Sequence, residues 1–300
     1  MSAKPVVVIG SSNMDLVIKT GHIPRPGETI LGGEFVMVAG GKGANQAVAA
    51  ARLGAETWFV ARVGDDPFGA EMLANFSAES IRTEHVTLDS DHASGVATIT
   101  VDESGENAIV VAPGANGQVS AEDIRKASKI IRGADSVLMQ LEIPLDAVCE
   151  TARIASEAGV RVVLDPAPAR ELPDELLQKV SLLTPNETEA EMLTGIAGDT
   201  IEAARAQAAA LRDKGVKNVL ITRGKQGSLL VGDQGETSFA TEVVESLDST
   251  AAGDCFNGAL AAKLAAGAKL PEAIKFASKA AALSTTRLGA QDSLPKAEDL

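Results

Sequence analysis

Residues 136–165 read SVLMQLEIPLDAVCETARIASEAGVRVVLD. Ser136–Leu141 is a short apolar run, Leu145–Ala158 is Ala-rich and helix-like, and Val160–Leu164 is apolar and β-branched again. Near-continuous apolar runs of this length fit strands that are covered on both faces. Strand, helix and strand in this order form the unit from which α/β domains with a mainly parallel sheet are built. The alternation extends in both directions. Further strands are expected at Val6–Gly10, Thr57–Val63, Ser181–Thr184 and Asn218–Thr222. Helices are expected at Gly43–Leu53, Phe68–Ser80, Ala121–Ile131, Glu187–Thr194 and Ile201–Lys214. Ser120 with Asp123 reads as a capping box at the start of the third of these helices.

Two segments interrupt the alternation. Leu16–Val38 is strand-like and carries Pro24, Pro26 and the pair Gly32-Gly33, while Gly95–Val111 reads as a hairpin with its turn at Glu103–Glu106. Neither has a partner helix, so together they are expected to form a small β flap at one edge of the sheet. Ala252–Ala266 and Pro271–Thr286 read as two Ala-rich helices. No repeat, low-complexity tract or linker marks a second unit. The expectation is therefore one domain over residues 1–300, with a discontinuous lid from about 16–38 and 95–111.

Composition removes several function classes. There are 27 basic and 41 acidic residues, for a formal net charge of -14, which excludes a nucleic-acid scaffold and a polybasic membrane-surface protein. It does not exclude a small anion, because a local site can reverse the global field. Aromatic residues are 3%, with no Tyr and one Trp, too few for base-stacking platforms. No segment approaches the ~20 apolar residues that cross a bilayer. The start, MSAKPVVVIG, enters a strand-like run with no room for a signal peptide. Two cysteines, Cys149 and Cys255, form no disulfide framework, so a reducing, cytoplasmic setting is expected.

Polar residues stand where such a sheet puts its chemistry. Asn13 and Asp15 follow the first strand, Glu142 the third, Asp165 the fourth, Asn186 the fifth and Arg223 the sixth. Open α/β sheets bind ligands beyond the carboxyl ends of their strands. The common nucleotide signatures are absent. Gly41-Lys42 and Gly224-Lys225 lack the flanking residues of a P-loop, and Gln46 occupies the third glycine position of a dinucleotide fingerprint. His22, His85 and His92 have no metal-ligand spacing.

Three stretches carry other chemistry. Ala251–Gly258, AAGDCFNG, places small residues and then Asp254 at a helix start, where backbone N–H groups donate to phosphate oxygens. Gly40–Gln46, GGKGANQ, allows close backbone approach to a ligand, and Lys42 and Asn45 offer donors suited to hydroxyl groups. Asn186 and Glu189 lie three apart on one helix face, an amide and a carboxylate that suit a hydrated Mg²⁺ with phosphates. An N-cap followed by a first-turn Glu accounts for the same pair.

With these residues in view, the chain resembles the ribokinase-like (PfkB) family of sugar and nucleoside kinases over essentially its whole length. The likeness runs through GSSNMDLV, PRPGET, GGKGANQAVAA, VGDDPFG, MQLEIP, DPAPARELPDE, TPNETEAE, DSTAAGDCFNGAL and TRLGAQDS. It implies a three-layer α/β/α sandwich with a small β lid. It also implies ATP-dependent phosphorylation of D-ribose at the 5-hydroxyl, giving D-ribose 5-phosphate and ADP. Related furanoses or nucleosides, such as 2-deoxyribose or adenosine, are the alternative acceptors, and a non-catalytic sugar-sensing protein is the alternative class.

The resemblance also assigns positions. The catalytic base falls on Asp254, with an anion hole from the backbone of Ala251, Ala252 and Gly253. Sugar contacts fall on Asn13, Asp15, Gly40, Gly41, Lys42, Gly43, Asn45, Glu142 and Asp254. ATP contacts fall on Asn186, on Thr222, Arg223, Gly224, Lys225, Gln226 and Gly227, and on Gly253, with Ser278 on the adenine side. Glu189 ends a motif tied to Mg²⁺ and phosphate. A monovalent-cation loop, with K⁺ as the expected ion, falls on Asp248, Thr250, Ser284, Arg287, Gly289 and Ser293, largely through carbonyls. A homodimer through the lid is implied as well. Cys255, where Thr is usual, and Ser278, where a larger polar residue is common, depart from the pattern.

Overall fold

The computed structural model describes residues 4–300; Met1–Ala3, ahead of the first strand, lie outside the described residues. The chain opens with β1 (Val6–Ile9), β2 (Asn13–Lys19), β3 (Phe35–Gly40), α1 (Lys42–Arg52), β4 (Thr57–Gly64) and α2 (Pro67–Ala78). It continues through β5 (Arg82–Asp89), β6 (Gly95–Val101), β7 (Asn107–Ala112), α3 (Ala121–Lys126), α4 (Ser128–Gly133), β8 (Ser136–Met139) and α5 (Leu145–Glu157). Then come β9 (Arg161–Leu164), α6 (Asp174–Leu177), β10 (Leu182–Leu183), α7 (Glu187–Thr194), α8 (Ile201–Asp213) and β11 (Val219–Thr222). The last part holds β12 (Ser228–Gly232), β13 (Gly235–Phe239), α9 (Ala252–Ala265) and α10 (Leu270–Ser284).

Nine strands form one sheet in the order β13-β12-β11-β10-β9-β8-β1-β4-β5. Pairing is parallel from β11 across to β5, and β12 and β13 are antiparallel at the far edge. Period-2 alternation sorts the central strands onto two faces. Val7 and Ile9 share a core with Val137, Met139, Val162 and Leu164, covered by Ile124, Ile131, Val148 and Leu211 from α3, α4, α5 and α8. Val6 and Val8 share the opposite core with Leu138 and Val163, covered by Val48, Met72, Leu260 and Ile274 from α1, α2, α9 and α10. The result is the expected α/β/α sandwich. Among the described residues no helix is long and apolar enough to cross a membrane.

A second sheet has the order β3-β2-β6-β7, with β2 parallel to β6 and the other pairs antiparallel. The sequence reading took Leu16–Val38 as one strand-like segment. The structure instead gives two strands, and the prolines and glycines between them lie in an irregular stretch, as residues that lack a donor or a side chain to pack should. β2 also begins earlier, at Asn13, so Asn13 and Asp15 open a strand of the small sheet. The expected helix over 121–131 is broken at Ala127 (φ −84°, ψ 0°). Ile124, Ala127 and Ile131 keep one buried face across the break, and that continuity hid it. β5, β12 and β13 were not anticipated. All lie at or next to a sheet edge, and β5 and β13 carry the exposed polar residues of edge strands.

Helix α1 is buried over Gly43–Ala50, between β1 and α9. The close approach is set by Gly258 of α9: a Cβ there would stand 2.5 Å from Ala49 Cβ and 2.6 Å from Gln46 O. Gly258→Ala should therefore lower the urea midpoint. Overpacking costs about 1–3 kcal/mol, which outweighs the ~1 kcal/mol that Ala gains over Gly in helix propensity. A raised midpoint would show that the two helices are not held at this distance.

Candidate active site

The strand ends converge on Lys42, Asp165 and Asp254. Asp254 sits in the first turn of α9, and only 5% of it is exposed. Both of its oxygens are held by α1: Asn45 Nδ2 donates to Oδ2 at 2.9 Å and Gln46 Nε2 donates to Oδ1 at 2.9 Å. Gln46 Nε2 also donates to Asp165 Oδ2 at 2.7 Å, and Gln140 Nε2 donates to Gln46 Oε1. Burial raises the pKa of Asp254, opposed by the Lys42 charge and by the two amides. Burial, against the opposing Lys42 charge and with Asp254 and Glu189 beside it, drives Asp165 well above the carboxylate range. Burial works against the Lys42 ammonium too, but Asp254, Asp165, Glu142 and Glu189 around it hold it well above the ordinary lysine value.

The glycine run shapes the entrance. Gly41 adopts φ +88°, a left-handed conformation that suits Gly, and a Cβ on Gly40 would collide with the Asp15 carboxyl. The open N–H groups at the start of α1 are taken up by neighbours. Lys42 N–H donates to Glu142 Oε2 at 3.0 Å, Ala44 N–H to Ser11 O at 2.8 Å, and Ser11 Oγ–H to the same Glu142 oxygen. Glu142 thus caps a helix while facing the site. Asn13 Oδ1 accepts from Asn116 Nδ2 at 2.8 Å, which turns the Asn13 amide donor outward. Asn45 has the opposite polarity from the sequence reading. Its donor end is committed to Asp254, and its Oδ1 is buried without a partner, an open acceptor.

A cavity of about 410 Å³ opens beside this cluster, lined by Lys42, Asp165, Asn186, Glu189, Thr222 and Gly224 together with Ala251–Asp254. Ala251 caps α9 in the left-handed region (φ 58°), with no side-chain cap over the helix start. The Ala252 N–H donates to Ser249 O at 3.2 Å, so it is engaged in a turn. Asn186 and Glu189 form a reciprocal capping box, with both bonds at 2.8 Å. One Glu189 oxygen is occupied in this way, and burial raises the group's pKa. Among the described residues no group of three or more His, Cys, Asp or Glu is arranged to hold a metal ion. The Glu189 oxygen outside the capping box is a hard donor of the kind a hydrated Mg²⁺ carried on phosphates takes.

Two further cavities adjoin this one. Ser278, Phe256, Thr241 and Gly227 line one, and Lys225, Val243, Val244, Ala281 and Ala282 line the other; both share Gly224 and Ala252 with each other, and Gly224, Ala252 also line the first cavity. Arg223 and Gln226 are not brought to the site by their side chains. Arg223 is bound by Glu187, by Asp199 O and by Gln226 Oε1. Beyond α9, Asp248 accepts from Thr250 N and Gly289 N, each at 2.9 Å. Burial pushes Asp248 up, but the hydrogen bonds from Thr250 and Gly289 hold it below the usual carboxylate range. Ser284 and Ser293 donate their hydroxyl protons to local carbonyls, which leaves the oxygen lone pairs, and Arg287 pairs with Asp299, so that residue has only backbone atoms for a cation.

The sequence reading placed Asp165 at a strand end and Gln46 at the end of GGKGANQ without giving either a role, and it passed over Gln140, Asn116 and Asn257. Gln46 directly follows Asn45 in GGKGANQ, and Asn257 lies one turn after Asp254, so those two were within reach of the motif argument. Gln140 stands two residues before Glu142 in MQLEIP, and Asn116 is joined to the site only by folding.

Asp15 gives a test that needs no ligand. Burial, with Glu142 nearby, raises its pKa from 3.8 to about 6. A carboxylate raised on folding binds protons better in the native state, so its favourable contribution is complete below the unfolded value. That contribution is lost as pH rises through about 6. Asp15→Asn should therefore melt higher than the parent at pH 8, with the gain vanishing near pH 4. An equal gain at both values would remove the burial account.

Comparison with known proteins agrees with this geometry. The profile of the pfkB family carbohydrate kinases matches residues 3–297. The chain is 44% identical over 297 residues to a ribokinase of Haemophilus influenzae, covering 99% of this chain and 97% of that protein. It is 37% identical over 294 residues to a deoxyribokinase of Salmonella typhimurium, covering 98% and 96%. Its fold superposes on a structure of Arabidopsis thaliana ribokinase complexed with ribose and ATP, with a TM-score of 0.92 at 33% identity, over 99% of this chain and 97% of that one. With a held carboxylate at a helix start and a likeness that spans nearly every residue, this chain belongs to the pfkB family of carbohydrate kinases.

Proposed function

We propose that the chain transfers the γ-phosphoryl group of ATP to the 5-hydroxyl of D-ribose, giving D-ribose 5-phosphate and ADP. The observation that carries this reading is the fixed position of Asp254. Its two oxygens are gripped by Asn45 and Gln46 at the boundary between the sugar motif and the cavity beside α9. The ribokinase relatives and the likeness to a complex with ribose and ATP support the substrate pair. A deoxyribokinase among the relatives keeps 2-deoxyribose as the second acceptor to test.

On this reading each residue has a task. Asp15, the free oxygen of Glu142 and the open Asn45 Oδ1 accept hydroxyl protons, while Asn13 Nδ2 and the Lys42 ammonium donate. Asp254 orients the attacking hydroxyl and receives its proton. Phosphoryl transfer has a loose transition state, so holding the oxygen in line matters more than strong basicity. That reconciles a carboxylate base with its place at a helix start. The start of α9 and Lys42 meet the charge on the transferred group. Mg²⁺, when bound near Asn186 and Glu189, supplies further neutralisation of the phosphates. The apolar walls at Val243, Val244, Ala281 and Ala282 suit an adenine ring.

The small sheet acts as a lid that excludes water from the transfer. One face of it exposes Ile18, Phe35, Met37 and Val110, an apolar patch that supports a homodimer through this face. K⁺ is the activating cation, held by the loop around Asp248, where it orders the approach to Asp254. The two free thiols support a cytoplasmic setting.

Asp254→Asn should lower kcat by at least ~10²-fold, the lower range for loss of a general base. Turnover near the parent value would dismiss the assignment. At equal ionic strength, K⁺ should raise activity above that in Na⁺, and indifference to the exchange would remove the cation loop from the mechanism.

A further inference from the structure

Gln46 lies fully buried behind the reacting groups, where no bound sugar or phosphate needs to touch it. Its amide touches two carboxylates at once, Asp254 Oδ1 and Asp165 Oδ2. Asp254 must be ionised to take the hydroxyl proton, and an ionised carboxylate only accepts, so the NH₂ end of Gln46 has to face it. The orientation of Gln46 is thereby forced, and its Oε1 must find a donor elsewhere. Gln140 supplies it. Gln140 is 1% exposed, and its own Oε1 is left buried with no partner. The two buried amides lead from Gln140 to Asp254 and Asp165, and of these groups Asp254 is the one that meets the cavity from the start of α9.

We infer that Gln46 is a positioning residue for phosphoryl transfer, fixing the carboxylate of Asp254 in line by bracing it against Asp165, with Gln140 setting the direction of the Gln46 amide. The inference rests on the reading of Asp254 as the base. The division of labour around Asp254 is specific. Asn45 grips the oxygen on one side and has a free acceptor beside the site, whereas Gln46 has no group left over for a ligand. Loss of Gln46 frees the carboxylate to rotate about its side chain and leaves the site otherwise intact. Asp165, in turn, serves as the fixed post of the brace, which accounts for a carboxylate so fully buried.

The test is a mutant cycle on the whole enzyme with ribose, ATP, Mg²⁺ and K⁺. Gln46→Met keeps the length and removes both donors; Gln46→Leu removes them with a smaller side chain and serves as a second variant if the first unfolds. Melting curves and ribose binding establish that each variant is folded. In the parent background the substitution should lower kcat by about 10- to 100-fold, as a misplaced reacting group does, with the KM for ATP changed less than about twofold. In an Asp254→Asn background it should cost less than about twofold in the residual rate, because the residue it positions is already disabled. Gln140→Met should reproduce a smaller loss of the same kind. An equal loss of kcat in both backgrounds would assign Gln46 a merely structural role and overturn the inference. So would an unchanged kcat in the folded variants. Neither result touches the wider reading, which fails only if the parent does not phosphorylate ribose or if Asp254→Asn retains full activity.

Discussion

A carboxylate withdrawn from water must be given charge or hydrogen bonds in return, or it takes up a proton. Two such groups, Asp165 and Asp254, sit side by side at the strand ends of this protein, and most of the local architecture answers to them. Lys42 supplies positive charge, and Gln46 and Asn45 supply donors. All three come from one turn of α1, so that helix has to lie flush against both β1 and α9. Its buried face of small residues and the missing side chain at Gly258 make this contact possible.

The same turn connects the two halves of the site. The start of α1 is capped by Ser11 and Glu142 from the ends of β1 and β8, and its side chains reach across to α9. The small sheet is anchored alongside, where Asn116 clasps the backbone of Ser12 and the side chain of Asn13. A formal charge of -14 argues against polyanion partners, but the cavity carries its own field. One lysine and an uncapped helix start face the space where phosphate is proposed to bind, and global charge counts register neither arrangement.

The central strands were legible because burial on both faces leaves a run such as VVVI with no polar residue to break it. The edge strands were not, since RTEHVTLD in β5 and GETSF in β13 carry the polar faces that edges need. Of the site, the motifs located Asp254, Asn45, Lys42 and the Asn186–Glu189 pair, because each stands at a helix start with small neighbours. Polarity was less accessible. Whether Asn45 offers a donor or an acceptor depends on Asp254, which is 209 residues away in sequence. Asn116 acts through a partner 104 residues distant and nothing local marks it, while Gln140, in MQLEIP beside Glu142, takes its role from a partner 94 residues away. Arg223 shows the converse: a cation at a strand end attracts a phosphate reading, yet its guanidinium is consumed by Glu187, Asp199 and Gln226.

The most direct measurement is a panel of acceptors (D-ribose, 2-deoxyribose, adenosine, fructose 6-phosphate and water alone) incubated with ATP, Mg²⁺ and K⁺, with ADP and the position of the new phosphate followed by ³¹P NMR. The account predicts the highest kcat/KM for D-ribose, a single product phosphorylated on the 5-hydroxyl, and little ADP without sugar. Preference for another acceptor, transfer to a different hydroxyl, or ADP release that does not depend on ribose would contradict it.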